Sequence, residues 1–272
     1  MKKLLYEVRE PKTLEEMTWE EVANRLKKTE ICIVSTGSTE QHGYHLPLST
    51  DTLIAQEMAK RTAEKLESEG IQILVGPTIQ FGINPYAMNY PGSITLNPGT
   101  LKSLIKDICT SLHHHGIKKI VLLMGHDENW PVMTLAAQEI INEIDIEIIC
   151  VNWLLAVGSR EKKLLGLKKA DGHGGAGETS RALAAFPNLV HLDRAKEYFP
   201  PINKSKEVPY SMSPLFGGGV YNPKNTYRNF MPPEYPGQVG DPKLACKEVG
   251  DQGYSILAEW LAEVIKQQFL VK

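Results

Sequence analysis

The residues from Ser35 to Ala55, STGSTEQHGYHLPLSTDTLIA, set Glu40, His42, His45 and Asp51 directly behind an apolar run that reads as a core strand. Groups of this kind are costly to bury unpaired, so the cluster calls for partners, and a metal is the first candidate. In an extended segment Glu40 and His42, two apart, point the same way and reach one site from a strand-like loop. His126 and Glu128, in the stretch GHDEN, repeat that spacing. Asp51 stands at the mouth of a helix, whose N-terminus supports its negative charge while its two oxygens are available to neighbouring cations.

Charge balance bears on the number of ions. One divalent ion among Glu40, Asp51 and Glu128 leaves a net −1, a poor setting for a hydroxide or an oxyanion, whereas two ions leave +1. Paired ions about 3.5 to 4 Å apart hold both the attacking and the developing oxygen. Mixed imidazole and carboxylate ligands suit zinc or manganese, without choosing between them. Taken singly, Asp51 would read as a helix cap and each histidine would carry little information. Their joint position behind two strands of one sheet sets them apart.

The elements that must position these groups follow an alternating pattern. Thr18 and Glu21 make a capping box that opens a helix through about Lys27, and ICIVS, residues 31–35, follows as a β-branched strand. A helix from near Asp51 runs to a stop at Gly70, and IQILV, residues 71–75, reads as the next strand. Leu101, Leu104, Ile105, Ile108 and Leu112 mark one face of a helix ending at Gly116, ahead of the strand KIVLLM, residues 119–124. A helix over about 131–144 leads to IEIICV, residues 146–151. Apolar strands alternating with amphipathic helices predict an α/β fold, a central mostly parallel sheet with helices on both faces. In such sheets ligands bind at the carboxyl ends of the strands, which is where Glu40, His126 and, later, His173 and Glu178 of DGHGGAGETS accumulate. Residues 200–242 form a Pro-rich irregular excursion, expected to act as a lid or an oligomer contact, and a helix over about 242–269 closes the chain.

The 272 residues, 42% hydrophobic and 23% charged, suit a globular protein with a substantial core, and they read as one domain over 1–272. A formal charge of −2 provides no basic field for nucleic acid, and no apolar run approaches the roughly 20 residues that span a bilayer. Charged residues interrupt the N-terminus too early for a signal peptide, so a cytoplasmic location is expected. Cys32, Cys109, Cys150 and Cys246 are widely spaced and read as buried, reduced thiols. GHGGAG, residues 172–177, fits a dinucleotide-loop spacing but follows no strand. The run His113 to His115 reads as a helix C-terminus rather than a chelate, because consecutive helical residues point about 100° apart.

The segments GSTEQHGYHLPLSTD, GHDEN, GHGGAGETS and VGDPKLACKEVGDQG resemble the motifs of the creatininase family of metal-dependent amidohydrolases, over about Ile31 to Leu261. The resemblance implies an α/β sandwich, assembly as a homo-oligomer (a hexamer), and two divalent ions, zinc or manganese. It implies that Glu40, Asp51 and His126 hold one ion while His42, Asp51 and Glu128 hold the other. His173 would bind substrate or transfer a proton, and Glu178 would be an auxiliary ligand. The implied reaction is hydrolysis of a carbon–nitrogen bond in a small cyclic amide, a metal-bound hydroxide attacking the carbonyl and His173 passing a proton to the leaving group.

Departures from the family pattern bear on substrate. Tyr44 stands where proline is common, and Lys169 where creatinine-hydrolysing relatives carry a tryptophan. Trp153 is then left as half of an aromatic clamp, with Asn84 and Asp127 as polar substrate contacts. These polar neighbours also suit a hydroxylated ring, so hydrolytic carbon–carbon ring opening of an oxidised inositol is the alternative. A peptidase or deformylase and a non-catalytic metal-binding protein are further readings.

Overall fold

Period-two alternation inside the strands divides the molecule into layers. The structure, a computed structural model, describes residues 8–169, 171–199 and 235–271. Strands β1 (Ile31–Thr36), β2 (Leu74–Ile79), β3 (Lys119–Met124) and β4 (Glu147–Val151) form one fully parallel sheet in the order β2-β1-β3-β4. Ile31 and Ile33 of β1 and Val121 and Leu123 of β3 face one way, onto helices α2 (Thr50–Ser68) and α8 (Lys247–Ile265). Cys32, Val34, Ile120, Leu122 and Met124 face the other, onto α3 (Pro98–His114) and α4 (Trp130–Glu143). Both faces are therefore apolar, and this is why the central strands read as continuous hydrophobic runs. The remaining helices are α1 (Trp19–Leu26), α5 (Trp153–Ala156), α6 (Gly158–Leu165) and α7 (Ala176–Ala185). None of the described helices is long and apolar enough to cross a membrane.

Strand β2 lies further along the chain than the apolar run IQILV suggests. Gly70, at φ +80°, closes α2 with the Ile71 amide returned to the Leu66 carbonyl, so Ile71 and Gln72 are spent on the exit from the helix. The strand then runs through Gly76 and Pro77, where its register against β1 shifts between Ile33 and Ser35. A proline is tolerated there because β2 is the sheet edge and the irregularity removes the need for its missing N–H. The final helix also departs from expectation. Residues 242–244 make a separate 3-10 turn capped by Asp241, Cys246 is extended with its N–H on Ser180 Oγ at 2.9 Å, and the end widens to a π-helix over Lys266–Leu270. The cysteines carry no disulfide; Cys150 and Cys246 are only partly buried, Cys246 donating to Glu248 Oε2 at 2.8 Å. His113 and His114 occupy the last turn of α3, with His115 at its C-cap, as expected. Of the Pro-rich excursion, residues 200–234 lie outside the described residues, while Gly240 pairs antiparallel with Tyr198.

Two packing features place the site. The strand order reverses direction between β1 and β3, so the loops after these adjacent strands open a crevice at their carboxyl ends. Helix α8 then clamps α7 against the same side. At Gly250 the two helix backbones touch: a Cβ there would be driven into the Ser180 carbonyl. Cys246 N–H to Ser180 Oγ and Tyr254 Oη to the Arg181 carbonyl, 3.4 Å, fix the pair. Gly250→Ala is expected to lower stability by about 1–3 kcal/mol through overpacking. Thermal unfolding monitored by circular dichroism checks this, and an unchanged midpoint would contradict the close contact.

Candidate metal centre

Strands β1 and β3 leave the sheet side by side, with Gly125 N–H on the Thr36 carbonyl and Gly37 N–H on the Ile79 carbonyl, both at 2.7 Å. The fully buried Asn129 ties three loops together: its Nδ2 donates to the Gly37 carbonyl at 2.9 Å and its Oδ1 accepts from Ile83 N–H at 3.1 Å. On this frame Glu40, His42, Asp51 and His126 converge, each at most 5% exposed.

Asp51 sits at the centre of two groups of candidate ligands. Its Oδ2 lies 3.1 Å from His126 Nδ1, which is also 3.4 Å from Glu40 Oε1. Its Oδ1 lies 3.0 Å from His42 Nε2, which is 3.7 Å from Glu178 Oε2. Within each group, Glu40–Asp51–His126 and His42–Asp51–Glu178, the ligand atoms all fall within 4.8 Å of one another. Each imidazole is oriented through its other nitrogen: His126 Nε2 bonds the Ile83 carbonyl at 3.0 Å, and His42 Nδ1 the Glu40 carbonyl at 3.1 Å. In the neutral tautomer that those bonds select, the ring N–H faces a backbone carbonyl and the lone pair faces Asp51, the arrangement of a metal-ligating histidine.

Glu178, in the first turn of α7, is held by Gly174 N–H at 2.6 Å, while Asp171 caps the helix through Ala176 and Gly177 N–H at 2.7 and 2.9 Å. Glu128 lies on the opposite edge of the His126 ring, 3.2 Å from Nε2. The structure therefore brings Glu178, rather than Glu128, together with His42 and Asp51. His173 Nδ1 is 3.6 Å from Glu40 Oε1 and its ring centroid 4.2 Å from that of His42; this trio, Glu40, His42 and His173, forms a third clustered set. Behind it, His173 Nε2 meets the Gln41 carbonyl at 2.7 Å and Gln41 Nε2 at 3.1 Å.

Burial dominates the electrostatics. It pushes the carboxyl of Glu40 up, and that of Glu128 up to about 8 with Asp127 adding repulsion. Burial opposes protonation of His42 and His126, yet Asp51 and Glu40 respectively, with neighbouring carboxylates, override it and raise both. Asp51 is held low, against burial, by those two rings. His173 is lowered to about 3 by burial and by His42. Both Glu40 oxygens and Asp51 Oδ2 are buried without a hydrogen bond among the described residues. Buried carboxylate oxygens facing imidazole lone pairs form a donor set that suits zinc or manganese.

The residues expected to contact substrate are placed differently from one another. Asn84 is fully buried, its Nδ2 donating to Ser38 Oγ at 2.6 Å and to the Thr39 carbonyl at 3.3 Å, so its amide group supports the Glu40 loop. Asp127 begins the 3-10 turn that carries Glu128. Trp153 is packed into the core facing α2 and α8, with the Arg181 guanidinium over its ring at 4.5 Å. Gln41, Asp171 and Asn129 carry no ligand signal in the sequence, and His45, grouped there with the candidate ligands, stands outside the ligand groups in the structure. All four lie inside or next to the motif segments, and it is their side-chain bonds across loops that identify them.

The chain is similar to known proteins over most of its length. The creatininase family model, described as creatinine amidohydrolase, matches residues 15–265. The chain belongs to the creatininase family. It is 26% identical to the creatinine amidohydrolase of Pseudomonas putida, over 93% of this chain and 96% of that protein. It is also 26% identical to the 3-dehydro-scyllo-inosose hydrolase of Thermotoga maritima, over 92% of this chain and 81% of that protein. A solved structure, Creatininase Mn, superposes with a TM-score of 0.76 at 26% identity, covering 95% of this chain and 99% of that one.

The grouping around Asp51 generates a test by metal analysis of dialysed, manganese-loaded protein. Asp51→Asn is expected to lose both ions and Glu178→Ala one. Two ions retained by Glu178→Ala, with one lost from Glu128→Ala, would contradict the grouping.

Proposed function

We propose that this creatininase-family protein is a two-metal hydrolase that opens a small polar cyclic substrate, cleaving the carbon–nitrogen bond of a cyclic amide. The observation that carries the reading is Asp51, whose two oxygens face two separate imidazole-bearing ligand groups. Glu40 and His126 would complete one metal site, His42 and Glu178 the other. Two ions held by these residues would supply Lewis acidity, easing deprotonation of a water nucleophile and polarising a substrate carbonyl.

The chain's own residues do the rest. Three carboxylates, Glu40, Asp51 and Glu178, would oppose two divalent ions and leave a net +1, a balance that suits a negatively charged nucleophile. Glu128, with its carboxyl raised toward the protonated form, is suited to hold a proton at Oε beside the His126 edge. His173 is neutral, and its Nδ1 points at the Glu40 side of the crevice while Gln41 fixes the other nitrogen. Its Nδ1 lone pair is placed to take the proton that the attacking water loses as its oxygen adds to the carbonyl carbon, and to pass that proton to the departing nitrogen as the carbon–nitrogen bond breaks.

A second reading, hydrolytic carbon–carbon ring opening of a cyclic polyhydroxylated ketone, is favoured by one placement. Trp153 is packed in the core under Arg181 and is not presented as an open aromatic clamp for a planar ring. Equal identity to the Thermotoga hydrolase supports the same reading. A homo-oligomer, as in the family resemblance, completes the proposal.

An NMR time course of manganese- or zinc-loaded protein with creatinine, other cyclic amides and 3-dehydro-scyllo-inosose separates the readings. Loss of an amide is expected. Ring opening of the ketone with the amides untouched would transfer the assignment to carbon–carbon cleavage, and no conversion of either class would contradict both.

A further inference from the structure

The site contains a third buried histidine, which takes no part in the ligand groups. His45 is fully buried and its Nε2 lies 2.9 Å from Thr179 Oγ1, the residue next to Glu178. Its Nδ1 has no hydrogen bond among the described residues. Gln238, from the far end of the chain, is also fully buried; its Nε2 donates to the Lys196 carbonyl, and its Oε1 has no hydrogen bond among the described residues. Unsatisfied buried polar atoms are uncommon, and two from distant segments at one place call for an explanation.

Gly43 brings them together. A Cβ built on it would stand 2.7 Å from Gln238 Oε1 and 2.9 Å from His45 Nδ1, so both atoms share the space over that glycine. Its φ of +71° is the left-handed region that a side chain would strain. The Thr179 hydroxyl has two acceptors in reach, His45 Nε2 at 2.9 Å and the Gly174 carbonyl at 3.5 Å; turned to the nearer, it leaves the imidazole N–H on Nδ1, which gives the acceptor-only Oε1 a donor through one water. The segment bearing Gln238 is seated firmly, with Val239 N–H on the His173 carbonyl at 2.7 Å. His45 itself is anchored on the backbone by His191 N–H, 2.8 Å from its carbonyl.

We propose that His45, Thr179 and Gln238 form a buried latch that positions Glu178 against His42, and so sets the affinity of one metal site of the pair. The inference rests on the two-metal reading above. The latch joins three segments that sequence keeps far apart: the loop after β1, the start of α7 and the strand-like stretch before α8. Glu40, Asp51 and His126 lie outside it, so the two ions should respond differently to its loss. None of the three residues is a catalytic group; each acts through the placement of Glu178.

The test is isothermal titration of the metal-free full-length protein with manganese, and with zinc as a second probe. Thr179→Val keeps the side-chain shape and removes the hydroxyl, while Gln238→Met keeps the chain length and removes the acceptor. Both are expected to weaken one of the two binding events at least tenfold and leave the other unchanged. Thr179→Ser, which keeps the hydroxyl, is expected to restore wild-type binding. Two events of wild-type affinity in both Thr179→Val and Gln238→Met would overturn the latch, as would equal weakening of both events. A single event in the wild type would instead overturn the two-metal reading, and the latch with it.

Discussion

The structure depends on a concentration of negative charge that the sheet cannot tolerate alone. Glu40 and Asp51 are nearly sealed from solvent at the carboxyl ends of β1 and β3, with Glu128 and Glu178 beside them. Removing one partner from a buried charged group costs about 3–5 kcal/mol, so a cluster of this kind persists only if cations or protons compensate it. Two imidazoles, at His42 and His126, face the carboxylates with nitrogens already oriented by backbone carbonyls. Divalent ions are the compensation that this set of donors fits, and Asp51 is the group that two such ions would share.

The rest of the fold serves that convergence. An apolar sheet covered on both faces provides a rigid platform, and reversal of strand order between β1 and β3 opens its carboxyl edge. Asn129 cross-links the loops after the first three strands, while α8 presses α7, and with it Glu178, toward His42. Stability and function thus draw on the same contacts. The backbone touch at Gly250 is remote from the crevice, yet it bears on where a carboxylate of the crevice stands.

Much of this was legible in the sequence. The β-branched runs of β1 and β3 and the stripes of α3 and α8 follow directly from apolar periodicity, and the spacing of Glu40, His42, His126 and Glu128 marks the ligand-rich rim. Other features depend on geometry that periodicity does not encode. Strand β2 is displaced because Gly70 and Ile71 complete a helix exit and because an edge strand accommodates Pro77. Trp153 follows a strand, which suggests a pocket residue, but the short helix it begins turns the indole into the core. The partnership of Glu178 with His42 arises from helix packing between segments far apart in the chain, a relation no local motif records.

The most direct measurement of the central claim is X-ray absorption at the metal edge of protein loaded with two equivalents of manganese. The expected result is coordination by oxygen and nitrogen with a metal–metal scattering path at about 3.5 to 4 Å, the separation of ions that share a site. Two bound ions with no such path would mean that Asp51 does not join them, and would contradict a shared two-metal centre.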